Sequence, residues 1–308
     1  MRITKIFATK VSITTAFILA VTKAVIGIWT GSLAVLSSAL DSILDIVSSS
    51  INYFAVRVAE QPPDENHPYG HTKFEPLAAQ IQSFLILFSG LYIFYKAYSN
   101  AENNAVITNM GINLWVMFFS ITATFFLVVF LKYVAKKEKS AVIEADSLHY
   151  QIDLLTNGGV IVALIAIKYT GYQLIDSIVS AVIAVYIIFS ALKLNLSVTK
   201  DLLDEVLPDE ELSVINDILA SHDQEIVEVH KFRTRRAGVK RFVDMHLVLW
   251  QDLSLKEANS LRIDIENRIK NALDGADVNL YIEQCTGDMC EECGVCEKYG
   301  RKKFGRTK

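Results

Sequence analysis

Ile112-Asn-Leu-Trp-Val-Met-Phe-Phe-Ser-Ile-Thr-Ala-Thr-Phe-Phe-Leu-Val-Val-Phe-Leu131 runs for a full bilayer's length without a charged residue. About 20 mostly apolar residues, as one helix, cross a hydrocarbon core roughly 30 Å thick. Such a stretch places the chain among membrane proteins, and others follow on both sides of it. Five further runs have the length of a span: about Ile6–Trp29, Leu33–Ala55, Leu77–Tyr98, Val142–Ile167 and Ile175–Leu194. Six spans therefore occupy the first two-thirds of the chain.

The composition agrees. Of 308 residues, 52% are hydrophobic, more than a soluble protein usually carries, yet 21% are charged. The charge is concentrated after Leu202, which divides the chain into a transmembrane part (1–203), a soluble domain (204–285) and a Cys-rich, basic tail (286–308). A net charge of -4 gives no reason to expect nucleic acid as a partner. The first apolar run is long and leads straight into others, so it reads as a span and not as a cleavable signal.

Basic residues set the orientation. Arg2, Lys5 and Lys10 precede or open the first span; Arg57 and Lys73 follow the second; Lys132, Lys136, Lys137 and Lys139 follow the fourth. The alternate loops, 101–111 and 170–174, carry none. Cytosolic loops collect Lys and Arg, so both termini are expected in the cytosol, and the inner membrane is the default location.

In the soluble part, Pro208-Asp-Glu-Glu opens a helix to Ser221. Ile226–Thr234 and Arg241–Trp250 alternate as strands around Gly238. Ser254 with Glu257 three residues on is a capping-box pattern for a helix to Leu273, and Val278–Glu283 is a last strand. The predicted order is αββαβ, a small α/β domain.

Two spans are impure. Asp41 and Asp45 stand one helical turn apart on the second, and His149 and Asp153 repeat that spacing on the fifth. A charge at mid-membrane costs roughly 2.5–3.5 kcal/mol on insertion scales, so three carboxylates there call for a compensating cation or proton. Apart from the edges of the first and last, no span is expected to supply a Lys or Arg to neutralise them. Three carboxylates and an imidazole surround one ion tetrahedrally, a donor set for Zn²⁺ that also holds Fe²⁺, Cd²⁺ or Co²⁺ and that the hard ions Mg²⁺ and Ca²⁺ do not favour. The bound ion is thus substrate, and a regulatory ion elsewhere, with no catalytic cofactor. His149 also suits proton exchange, because metal and protons compete for the same nitrogen. Asp146, one turn before His149, reads either as a cation attractor at the mouth or as a cap or interface residue.

Four segments together resemble the cation diffusion facilitator family: Gly31-Ser-Leu-Ala-Val35, Asp41-Ser-Ile-Leu-Asp45, His67-Pro-Tyr-Gly-His71-Thr-Lys-Phe-Glu75 and Ala145-Asp-Ser-Leu-His-Tyr-Gln-Ile-Asp153. The resemblance covers nearly the whole chain. It implies a homodimer in the lipid bilayer that exports a divalent metal ion by alternating access, with protons as counter-ion, in the branch handling zinc and iron and sometimes cadmium. It assigns the transport site to Asp41, Asp45, His149 and Asp153, and a loop site to Asp64, His67 and His71. It also implies a charge pair, Lys73 with Asp204, near the dimer centre, and a metallochaperone-like fold for the soluble domain. There His230 and His246 match ligands, while Asn259 and Glu283 stand where related chains have histidines and Cys285 where they have aspartate. A mononuclear site from His230, His246 and Cys285 with Glu283 is the expectation.

Cys290, Cys293 and Cys296 follow Cys285 at Cys-x4-Cys-x2-Cys-x2-Cys spacing. In a reducing cytosol such thiols are not structural disulfides. They read as a zinc site, as ligands sharing metal with His230 and His246, or as a flexible thiol-bearing tail, with an iron–sulfur cluster ranked lower. Two other classes of function fit the sequence less well. A membrane-anchored metal sensor or chaperone without transport would leave the intramembrane acids dispensable. An integral enzyme lacks support: there is no His-Glu-x-x-His, Ser/His/Asp set or phosphate loop.

Overall fold

The computed structural model describes residues 4–31, 33–102, 114–172, 174–250 and 253–285. Two compact units divide at Leu202/Leu203. The first holds six long helices: α1 (Lys5–Thr30), α2 (Leu33–Ala59), α3 (Phe74–Glu102), α4 (Leu114–Glu138), α5 (Ala141–Thr170) and α6 (Leu174–Leu202). Five are long and apolar enough to cross a membrane. The sixth, α2, has the length but is diluted by six serines and its two aspartates.

Helix ends follow their caps. The Phe7 amide donates to the Thr4 hydroxyl at the start of α1, and the helix stops where Gly31 takes a left-handed φ of 64°. Helix α5 repeats the scheme with Ser140 at its start and Gly171, φ 75°, at its end. Packing pairs α3 with α6, α1 with α2, and α4 with α5. The interior is lined by small or polar residues such as Ala8, Ser12, Ala16, Ala79, Ser83, Ala163 and Ala191, while Phe17, Phe84, Phe88, Phe126 and Phe189 point outward. That inside-out distribution puts apolar surface where lipid belongs, as the sequence reading requires.

Close helix approach rests on glycine. A Cβ at Gly90 of α3 would lie 2.8 Å from Ile187 Cγ2 of α6, whereas a Cβ at Gly158 meets nothing within 4 Å. At one end of the bundle, buried Lys5 (α1) donates to Glu75 Oε2 at 2.8 Å, and the Ser140 hydroxyl donates to the other Glu75 oxygen. One carboxylate therefore ties α1 and α3 to the N-cap of α5.

The second unit has the expected order: α7 (Asp209–Ala220), β1 (Ile226–Ala237), β2 (Lys240–Leu249), α8 (Leu255–Ala272) and β3 (Ala276–Gln284). The sheet runs β1-β2-β3, with β1/β2 antiparallel around Gly238 and β2/β3 parallel through the α8 crossover. Along β2, sides alternate from Val243 to Leu249. Val243, Met245, Leu247 and Leu249 face a core with Ile215, Ile265, Ile269, Val278 and Leu280, leaving His246, Val248, Tyr281 and Glu283 to the open face. Ser254 and Glu257 form the capping box of α8, and Arg241 grips Glu211 of α7 through two hydrogen bonds of 3.0 and 2.7 Å.

Candidate metal centres

The structure brings the ligand atoms of Asp45, His149 and Asp153 within 4.8 Å of one another, between α2 and α5. His149 Nε2 lies 3.0 Å from Asp45 Oδ1 and 4.0 Å from Asp153 Oδ2. The three are partly buried, so the cluster is shielded yet reachable. Asp41 sits one turn before Asp45 on α2, outside this tight group.

Asp146 takes its interface role. It is buried, and its carboxylate accepts from Ser12 of α1 at 2.6 Å and from Asn52 and Ser49 of α2 at 3.0 and 3.3 Å. Ser49 has a single proton and gives it to Asp146, so the Tyr150 hydroxyl, 2.8 Å away, is the donor to Ser49. A polar lattice thus fixes α5 against α1 and α2 beside the His149 ring. Sequence reasoning saw Asp146 but missed its partners, because single serines in a span give no period-based signal.

The expectation that no span carries a useful cation away from its edges is overturned by Lys23. This residue lies seven positions before the end of α1 and is buried. Its ammonium donates to Ser42 Oγ at 2.9 Å and lies 3.5 Å from the Ser38 carbonyl, both on α2. Asp45, Asp153 and Asp41 all act on it electrostatically. The signal was present as a lone Lys inside an apolar run.

The loop cluster also assembles. Asp64, His67 and His71 lie within the same 4.8 Å limit. Asp64 Oδ1 accepts the backbone N–H groups of Asn66 and His67 at 3.0 and 2.6 Å, an Asx turn, and His71 Nε2 stands 3.3 Å from Asp64 Oδ2. The His67 amide is the main reason the Asp64 carboxyl is held below its ordinary value. The chain then reverses at Gly70, φ 83°, which lays the His67 and His71 rings 4.5 Å apart. His71 Nδ1 is buried with no hydrogen-bond partner.

On the open face of the sheet, Glu283 bridges two imidazoles: Oε1 is 2.5 Å from His246 Nδ1 and Oε2 is 3.1 Å from His230 Nε2. The hydrogen bond from His246, then the charges around it, lowers the Glu283 carboxyl from its ordinary value. Glu228 Oε1 is 3.4 Å from His230 Nδ1, and the His246 ring stacks on Tyr281 with centroids 4.9 Å apart. A bulge follows His230, with Lys231 at a positive φ of 50°, and turns the strand just past the cluster. Cys285 stands two residues beyond Glu283, beside Trp250, and is not within the tight group. Asn259 accepts from Arg262 on α8. Asp204 pairs with Arg235 at 3.3 Å within its own domain, and Lys73 lies 3.4 Å from the Leu202 carbonyl within the helical unit. Cys290, Cys293 and Cys296 lie outside the described residues.

Comparison with known proteins is consistent over both units. Residues 9–203 match the cation efflux transmembrane domain and residues 207–285 the cytoplasmic domain of cation efflux proteins. The chain is 35% identical over 271 residues to the cation-efflux pump FieF of Serratia proteamaculans (strain 568), covering 88% of this chain and 90% of that one. It is 36% identical over 257 residues to FieF of Yersinia pestis (strain Pestoides F), covering 83% and 85%. A solved chain of CzrB in its zinc form is 34% identical and covers 28% of this chain and 96% of that one, with a TM-score of 0.25. Matched along both its helical bundle and its soluble domain, the chain belongs to the cation diffusion facilitator family of integral membrane metal transporters.

Proposed function

We propose that this protein exports a divalent transition-metal ion from the cytosol in exchange for protons, with Zn²⁺ the first choice and Fe²⁺ and Cd²⁺ as further substrates. The observation that carries this reading is the Asp45–His149–Asp153 cluster held between two membrane helices, with Asp41 one turn away. Two carboxylates and an imidazole at this spacing are a ligand set for a borderline ion. The protein acts as a homodimer in the inner membrane with both termini cytosolic, an orientation supported by the Lys and Arg of alternate loops.

In this scheme the ion loads onto Asp45, His149 and Asp153 from the cytosolic side, and Asp41 completes the set. Protons compete with metal for the His149 nitrogen and the carboxylates, so protonation on the far side releases the ion and carries the return step. The loop cluster of Asp64, His67 and His71 and the cytosolic cluster of His230, His246 and Glu283 hold regulatory ions. Cys285, two residues after Glu283, is a further donor for the cytosolic ion, and Cys290, Cys293 and Cys296 supply thiolates for a zinc site. Lys73 and Asp204 serve as a charge link at the dimer centre.

Proteoliposomes with a metal-sensitive dye inside test the scheme. Uptake of Zn²⁺, Fe²⁺ or Cd²⁺ should accelerate with an imposed pH gradient and vanish in Asp45→Ala. Flux indifferent to the gradient would remove proton exchange, and flux indifferent to Asp45 would remove the site.

A further inference from the structure

We propose that Lys23 is the resident counter-cation of the transport site and sets the charge of the ion the site accepts. The inference rests on the transport-site reading above and extends it to a residue on a third helix.

Of the three carboxylates of the site, Asp41 and Asp45 flank Ser42, on whose hydroxyl Lys23 Nζ sits at 2.9 Å, and Asp153 gathers with Asp45 around His149. Their sum with Lys23 leaves two negative charges, which a divalent ion cancels while His149 binds as neutral imidazole. Without Lys23 the same ion would leave the site one charge short of neutrality, and a buried uncompensated charge is costly. The ammonium is also held where it can act without being a ligand. Ser42 lies in the helical turn between Asp41 and Asp45, and Lys23 Nζ is fixed on its hydroxyl at 2.9 Å and near the Ser38 carbonyl at 3.5 Å. The long side chain reaches α2 from α1, so the cation stays beside the carboxylates when the metal leaves. Two effects follow. The emptied site carries two negative charges and not three, and an arriving metal meets repulsion that keeps binding weak enough for release. Among the described residues, Lys23 Nζ donates to Ser42 and lies near the Ser38 carbonyl of α2, and Asp45, Asp153 and Asp41 act on it through charge.

The test is equilibrium Zn²⁺ binding to the full-length protein in nanodiscs, read as the component lost in Asp45→Ala. Lys23→Gln keeps a donor for Ser42 and removes the charge, so it should tighten that component about tenfold or more. Lys23→Arg keeps the charge and should stay within about threefold of the unaltered protein. A folded Lys23→Gln with unchanged or weaker affinity overturns the proposal while leaving the transport site intact. If the unaltered protein shows no Asp45-dependent component, the site reading itself fails and takes the proposal with it. If Lys23→Gln is not recovered folded, the double variant Lys23→Gln/Asp45→Asn decides. Its recovery shows that lost charge balance was the fault and supports the proposal; its failure shows a packing role and overturns it.

Discussion

Asp146 shows how one side chain's meaning depends on what surrounds it. Read along the chain it is a third acid near a metal site, but in the bundle it is a buried acceptor for Ser12, Ser49 and Asn52. Removing it would orphan three buried donors, each worth about 1–3 kcal/mol when left unmade. Asp146→Ala is therefore expected to lower the thermal midpoint of the detergent-solubilised protein by several degrees, and Asn52→Ala by less. Differential scanning fluorimetry would check both. At Glu283 the sign of the pH effect is set by its lowered carboxyl. A depressed folded-state value means its contribution is complete above the ordinary 4.5 and is lost as pH falls through the lowered one. Circular dichroism followed from pH 5 to 3 should therefore show a weaker acid transition in Glu283→Gln. The ligand types and their i, i+4 spacing were legible in the sequence. The cation near them is not legible in the sequence, because Lys23 lies in a run whose average is apolar and its partner Ser42 is on another helix.

At the scale of elements, the six helices could be read from length and hydropathy, and the αββαβ order from period and caps. Boundaries drifted: β1 extends to Ala237, and α5 starts at Ala141 because Ser140 caps it. The bulge after His230 left no mark in the sequence, since Lys231 is not a residue type that announces a positive φ. Helix spacing is a prediction of its own. Gly90→Ala places a Cβ 2.8 Å from a β-branched methyl that cannot swing away, so α3 and α6 must part, an overpacking cost of about 1–3 kcal/mol. Gly158→Ala meets open space and should be neutral or slightly stabilising. Thermal denaturation of the two variants side by side measures the difference.

For the whole molecule, two families of ligand clusters sit in two units that differ in kind. One is a bundle with apolar surface outward; the other is a soluble sheet with histidines on its open face. An ion that binds only the folded sheet stabilises it by mass action, about 2.7 kcal/mol at a hundredfold excess over its Kd. Added Zn²⁺ should then raise the unfolding temperature of the full-length protein, and His246→Ala should lose most of that rise while retaining flux. Full loss of flux in that variant would make the cytosolic ion obligatory for transport. Mass photometry in nanodiscs should count two copies.

The Lys5–Glu75–Ser140 contact carries one more consequence, and it is mechanical. Glu75 has only two oxygens, and each holds a different helix, so three helix ends meet at a knot that cannot be loosened strand by strand. Freeing α1 would strand an ammonium away from water, and freeing α5 would leave the buried Ser140 hydroxyl without its acceptor. Under the alternating access proposed above, the bundle would either keep this end clasped and bend farther along, or break it all at once. That makes the knot a fulcrum, placed four residues after His71.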